Sequence, residues 1–228
     1  MSDAPQLGGG NRVPWTDLPD GLREAVETTL GAPVAAAVSQ AGGFSPGSAD
    51  RIATTEGRRA FVKAVSRTVN ADAPSIYLRE SLVLPLLPGR LPVARLLGVV
   101  EEDGWIALVL EDVDGRHPAV PWRDDDLHAV LDALQAIGAA SVPPELAGVL
   151  APLPHAIASL FSGWTTVTST DLEPLPAHLA AWCAERLDDL RRLAAEGLHL
   201  VAGDRLVHLD VRADNLLIRP DGTVAAVD

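Results

Sequence analysis

The chain has 228 residues, 47% hydrophobic and 21% charged, long enough for one large domain or two small lobes around a sizeable core. Aromatic residues make up 4%, so Leu, Ala and Val must fill that core. Lys and Arg number 18 against 31 Asp and Glu, and the formal net charge of -13 repels nucleic acid and anionic membranes; it either favours a cationic partner or substrate or simply keeps the chain soluble.

Residues 1–14 hold Gly8-Gly9-Gly10 and two prolines and read as a flexible tail. The triple glycine has no preceding strand and no following Lys-Ser/Thr, so it is not a phosphate loop. No basic segment followed by an apolar one is present, so no signal peptide is expected. Asp17 to Leu30 reads as a helix: Leu18, Leu22, Val26 and Leu30 recur every four residues, and Gly31 ends it. Val34 to Ser39 suits a buried strand, and the Gly-rich turn 40–48 follows. Ala49 to Thr55 and Arg59 to Ser66 then form a hairpin around Glu56-Gly57. The turn, with Gly42, Gly43 and Ser48, is either an ordinary β-turn or a nucleotide-covering loop whose backbone N–H groups approach phosphate. Lys63 stands in the otherwise apolar run Ala60 to Val65, on the same strand face as Phe61 and Val65. It is either an edge-strand lysine that snorkels outward or a ligand of ATP phosphates, with Phe61 against the adenine.

Pro74 to Leu87 reads as a helix with Glu80 as the anion in its middle. The most apolar stretch, 82–100, is broken by Pro85, Pro88, Arg90, Pro92 and Arg95 and is no transmembrane helix. Leu96 to Val100 and Trp105 to Leu110 flank Glu101-Glu102-Asp103-Gly104, a hairpin whose second strand opens into a linker. That places a candidate adenine-binding hinge at Leu110 to Val113, where backbone groups of residues such as Glu111 and Val113 read a base. From Trp122 the pattern turns helical. Asp124-Asp125-Asp126 opens a helix, where carboxylates favour the dipole, rather than forming a metal cluster. Val142 to Ser162 is helical in part, Trp164 to Thr170 is a Thr-rich loop, and Pro176 to Gly197 is a long helix. Cys183, the single cysteine, lies on that helix's apolar face; no disulfide framework or cysteine zinc cluster exists within the chain, which fits a cytoplasmic protein. His117, His128, His155, His178 and His199 are scattered without ligand spacing and read as surface or core.

The strongest signal comes last. Between two apolar runs, residues 206–218 carry His208-x-Asp210-x-x-x-x-Asn215, and the apolar segment Thr223 to Val227 then delivers Asp228. A base, a neutral oxygen ligand and an anionic oxygen ligand on neighbouring strands are what magnesium-dependent phosphoryl transfer needs.

Together with Val62-Lys63, Glu80 and the closing Val224 to Asp228, this loop resembles the aminoglycoside phosphotransferase family of the protein-kinase-like superfamily, over roughly residues 20–228. The resemblance implies an α+β, two-lobed fold: an N-lobe over 15–113 with a five-stranded antiparallel sheet, one helix and the hinge, and a mainly helical C-lobe over 114–228. It implies that Asp210 accepts or orients the proton of the substrate hydroxyl and that Asn215 and Asp228 hold Mg²⁺ on the phosphates of ATP. Lys63 binds those phosphates, Glu80 holds Lys63, and His208 braces the loop. Arg212 stands where many protein kinases place a lysine near the transferred phosphate. Members of the family continue past this Asp into helices that build much of the acceptor pocket. With Asp228 last, the expectation is a C-terminally truncated chain whose C-lobe is incomplete. The expected function is ATP-dependent phosphorylation of a small-molecule hydroxyl. The alternatives are a nucleotide-binding fragment without transfer, a kinase for choline, homoserine, a macrolide or a sugar, or a protein kinase.

Overall fold

The computed structural model describes residues 12–40 and 47–227. Gly42, Gly43 and Asp228 of the sequence reading lie outside the described residues. The chain divides into two compact units, one built from residues up to Leu146 together with those from Leu206 on, the other from Ala147–Arg205.

The first unit centres on an antiparallel sheet of β1 (Val34–Ser39), β2 (Ser48–Thr54), β3 (Arg59–Ser66), β4 (Leu96–Glu102) and β5 (Trp105–Glu111), in the order β1-β2-β3-β5-β4. Helix α1 (Asp20–Leu30) ends on Gly31 at φ +80°, a left-handed cap open to glycine at no steric cost. The β4–β5 hairpin turns through Asp103 and Gly104, both at positive φ, which matches the twist of the strands it joins. Strand alternation then divides the core. Ala60, Val62, Ala64, Ala107 and Val109 pack with Leu22, Val26 and Leu30 of α1 on one face. Val65, Ile106, Leu108 and Leu110 pack with Ala73 and Tyr77 of α2 (Ala73–Val83) on the other. Helix α2 is shorter than the span Pro74 to Leu87 because a 3₁₀ turn, Leu84–Leu86, takes over at Pro85. Arg12 and Val13, read from the sequence as tail, run beside Gly47, whose carbonyl accepts from the Val13 N–H at 3.1 Å.

Beyond the linker, α3 (Asp124–Gly138) lays Val130 on a short hairpin of β6 (Leu216–Ile218) and β7 (Val224–Ala226). Two further contacts tie this hairpin to the segments that enter and leave the β4–β5 pair. Ala94 donates to the Ala226 carbonyl at 2.9 Å, and Arg116 and Ile218 exchange backbone bonds of 3.0 and 2.8 Å. Asp126 does more than favour the dipole of α3. It is buried, its two oxygens accept from the Arg116 guanidinium at 3.0 and 2.6 Å, and it accepts from the Ala119 N–H at 2.9 Å. The Arg116 bonds, then that N–H, hold its pKa down to about 2.

The second unit is helical: α4 (Leu153–Ala156), α5 (Ala158–Thr166), α6 (Ser169–Leu172) and α7 (Ala177–Leu200). The Thr-rich stretch 164–170 is not the expected loop. Helix α5 runs to Thr166, and Thr168 with Asp171 forms a capping box that starts α6. The segment Pro144–Thr166 has a mean hydropathy of 1.4 and enough length to cross a bilayer, but it is divided into a 3₁₀ turn, α4 and α5.

Candidate active site

A cleft of about 250 Å³ opens in the first unit between the sheet, the linker and the loop before β6. Its register follows from β2 and β3. Ala49 faces Lys63 and Arg51 faces Phe61, and all four line the cleft. Ser48 does not. The period of two turns it to the opposite face, where it is fully buried and its hydroxyl donates to Asp50.

Lys63 is almost fully buried. Its Nζ lies 2.7 Å from Glu80 Oε2 and 5.2 Å from the centre of the Tyr77 ring. Sheet and α2 together create this arrangement. Alternation sends Lys63 toward α2, and one helical turn separates Tyr77 from Glu80.

The end of β5 contributes Leu110 and Glu111 to the cleft wall, and the linker after it Asp112 and Val113. Burial pushes the Glu111 carboxyl up, but the hydrogen bond and charge of Arg95, with Arg219 beyond, outweigh it and lower its pKa.

The loop before β6 brings Asp210, Arg212, Asp214 and Asn215 to the same cleft. Asn215 is buried in a 3₁₀ turn, Ala213–Asn215, at the mouth of β6. Its Nδ2 donates to Asp210 Oδ2 at 2.9 Å and to the Asp210 carbonyl at 3.1 Å. The Asp210 N–H donates to His208 Nδ1 at 3.3 Å. Arg212 grips Asp214 through two nitrogens and keeps another 3.9 Å from Asp210 Oδ2. The Arg212 bonds hold the Asp214 carboxyl below its ordinary range, with burial opposing and the charge of His117 assisting.

Among the described residues no group of three or more His, Cys, Asp or Glu is arranged to hold a metal. The chemistry of the donors still suits Mg²⁺, a hard cation that takes few protein ligands when phosphate and water supply the rest. Asn215 spends its Nδ2 on Asp210, which leaves Oδ1 as the atom it has to offer a cation. The Val227 N–H donates to the Asn215 carbonyl at 3.0 Å, so the end of the β7 segment runs beside Asn215.

Several polar residues of the cleft escaped the sequence reading. Tyr77 and His117 line it, His117 with Nδ1 2.9 Å from the Leu216 carbonyl, and so do Arg51 and Asp214. For Asp214 a signal existed, because it lies between Arg212 and Asn215 in the loop already singled out.

The phosphotransferase enzyme family matches residues 43–228 of this chain. Among solved structures, an aminoglycoside phosphotransferase from Streptomyces rimosus is similar at 20% identity, over 90% of this chain and 73% of its own, with a TM-score of 0.50. A putative fructosamine-3-kinase from Haemophilus somnus is similar at 13% identity, over 94% of this chain and 72% of its own, also with a TM-score of 0.50. These likenesses bear on the fold, which is α+β and protein-kinase-like. An aminoglycoside phosphotransferase from Alicyclobacillus acidocaldarius aligns at 15% identity and a TM-score of 0.47 over 86% of this chain, which spans 61% of that protein's length. No curated protein matches the sequence significantly.

Proposed function

We propose, from the premise that this chain belongs to the phosphotransferase enzyme family, that it binds ATP in this cleft and takes part in transfer of the γ-phosphoryl group to a hydroxyl of a small molecule. The observation that carries the reading is the convergence of Lys63, held by Glu80, with Asp210 and Asn215 on one cleft. In the same reading residues 15–113 form an N-lobe, residues 114–228 a C-lobe, and Leu110 to Val113 the adenine-binding hinge.

Phosphoryl transfer asks a protein mainly to position groups and neutralise charge. Lys63 supplies a fixed positive charge to the phosphates, and Glu80 and the Tyr77 ring hold its ammonium in place. Asp210 receives the acceptor hydroxyl, with one carboxylate oxygen tied to Asn215 and the other turned to the proton of that hydroxyl. Arg212 adds a cation beside Asp210, where charge develops on the transferring group. Asn215 and Asp228 are the residues to hold Mg²⁺, which when bound neutralises charge on the phosphate oxygens. The acceptor is a small alcohol, and the net charge of -13 supports one that carries amino groups.

Two measurements test the reading. Mg-ATP raises the melting temperature of the protein by mass action, and a chain that shows no shift does not bind it. Release of ADP, followed across amino sugars, macrolides and choline, identifies the acceptor, and Asp210→Ala lowers that turnover by about 10²–10⁴-fold. Full turnover by Asp210→Ala removes Asp210 from the reaction, while a thermal shift without turnover on any acceptor leaves a nucleotide-binding module.

A further inference from the structure

Arg51 lines the cleft but has no part in the reaction just described. The register of β2 and β3 gives the cleft a direction, from Ala49 and Lys63 at one end to Arg51 and Phe61 about 7 Å further along. Arg51 leads on to the linker. Its terminal nitrogen donates to the Val113 carbonyl at 2.6 Å, and its Nε lies 2.9 Å from Asp112 Oδ1. Arg59 closes the other side, with Nε donating to Asp112 Oδ2 at 2.7 Å. The Asp112 carboxylate between them is 3% exposed, and Val113 is buried with Ala94 and Ala225. One guanidinium thus hydrogen-bonds the Val113 carbonyl while its charge lies against the Asp112 carboxylate, whose Oδ1 takes no hydrogen bond among the described residues, so one directional bond and one ion pair hold the linker.

We propose that Arg51 is a positioning residue for the nucleobase. By tying Asp112 and Val113 to β2, it sets the spacing between the strand side of the slot and the linker and fixes the linker's backbone groups against the edge of the base. The proposal rests on the ATP reading and deepens it, since it names the element that gives the cleft its base selectivity. Arg59 holds the same carboxylate but does not line the cleft, so it stabilises the linker without touching the slot.

The test is the affinity of ADP and of GDP for the wild-type protein and for Arg51→Met, Arg51→Lys and Arg59→Met, each checked by its nucleotide-free melting temperature. Arg51→Met should bind its preferred nucleotide about tenfold more weakly. Its ADP-to-GDP affinity ratio should move toward one by about threefold or more. Arg51→Lys, which keeps the charge but loses the guanidinium's directed bond to the Val113 carbonyl, should fall between, and Arg59→Met should keep the wild-type ratio. A ratio unchanged in Arg51→Met overturns the proposal, because general loosening weakens both nucleotides alike. So does an equal change in Arg59→Met, which reduces the clamp to a structural support. If Arg51→Met does not fold, Arg51→Lys carries the same test. Wild-type protein that binds neither nucleotide overturns the ATP reading itself, and the role of Arg51 with it.

Discussion

Lys63 and Asp210 line one cleft but are held there by opposite means. The Lys63 side chain is 6% exposed and its Glu80 partner 21%, both enclosed by the sheet and α2. The Asp210 side chain is 60% exposed, and Arg212 and Asp214 beside it are also open to solvent. The first pair is positioned by the fold, so removing one partner strands a charge that cannot easily be hydrated. The second group is positioned by its own loop, through Asn215, His208 and the Arg212–Asp214 pair. Solvent screens those charges, and little stability rests on them. The contrast predicts that changes near Lys63 damage folding and binding together, whereas changes at the loop's exposed residues damage chemistry alone.

The largest combined effect on folding, binding and turnover is therefore expected at Lys63. Lys63→Met should abolish the ATP-induced thermal shift and lower turnover by about 10²–10³-fold. It should also lower the melting temperature without nucleotide, because Glu80 loses its partner. Adding Glu80→Gln should restore much of the melting temperature and none of the turnover, a coupling that a double-mutant cycle reads directly. If Lys63→Met melts like wild type, the buried pair is not what positions Lys63. Next in size is Asn215→Ala. It frees the Asp210 carboxylate and removes the oxygen proposed to hold Mg²⁺, and should cost about tenfold or more in turnover. Because Asn215 is buried, a modest drop in melting temperature should accompany it. Comparison with Asp210→Ala, which should melt like wild type, separates the two.

The same contrast explains what could be read from residues alone. Strands β1 and β3 match their sequence bounds, Val34–Ser39 and Arg59–Ser66, because apolar runs bounded by turn residues carry their own signal. The Asp103-Gly104 hairpin was legible for the same reason. Loop 206–218 could be read as a unit because its chemistry is local, with Asp210 and Asn215 five residues apart. Ser48 could have been turned away from the cleft by the alternation that turned Lys63 toward it. The Arg51–Val113 bond was not legible, since 62 residues separate the partners and no periodicity links them. His117 was missed likewise, because a lone histidine gives no spacing and the fold alone carries it to the Leu216 carbonyl, 99 residues away.

Smaller still is the effect expected at Asp126, which supports the cleft from below without lining it. Its pKa is lowered to about 2 by Arg116 and the Ala119 N–H. A depressed carboxyl stabilises the fold above its unfolded pKa, and that contribution is lost as the pH falls from about 4 toward 2. Asp126→Asn should thus be less stable than wild type at neutral pH and should converge with it in acid. Urea melts at several pH values read this directly, and parallel pH profiles for the two proteins would show that Asp126 is not linked to folding.

The smallest effect should come from Asp214→Asn, and it bears most directly on the contrast. Asp214 is half-exposed, and its carboxyl lies below the ordinary range because Arg212 grips it. Solvent screening leaves that pair little weight in the stability of the chain, so the melting temperature should stay within about one degree of wild type. The consequence falls on Arg212. Without the carboxylate the guanidinium keeps its 3.9 Å approach to Asp210, and it should be drawn toward that anion. Asp210 would then meet the acceptor hydroxyl as part of an ion pair and be a weaker base, for a loss of turnover of a few-fold, about 3–5. The sign distinguishes the two roles open to Asp214. If it holds Arg212 where charge develops, turnover falls and nucleotide affinity is unchanged. If it merely neutralises Arg212, removing it leaves more positive charge in the cleft, and nucleotide affinity rises with turnover unchanged. A drop in melting temperature as large as that of Lys63→Met would break the contrast altogether, because the loop would then carry the fold as well as the chemistry.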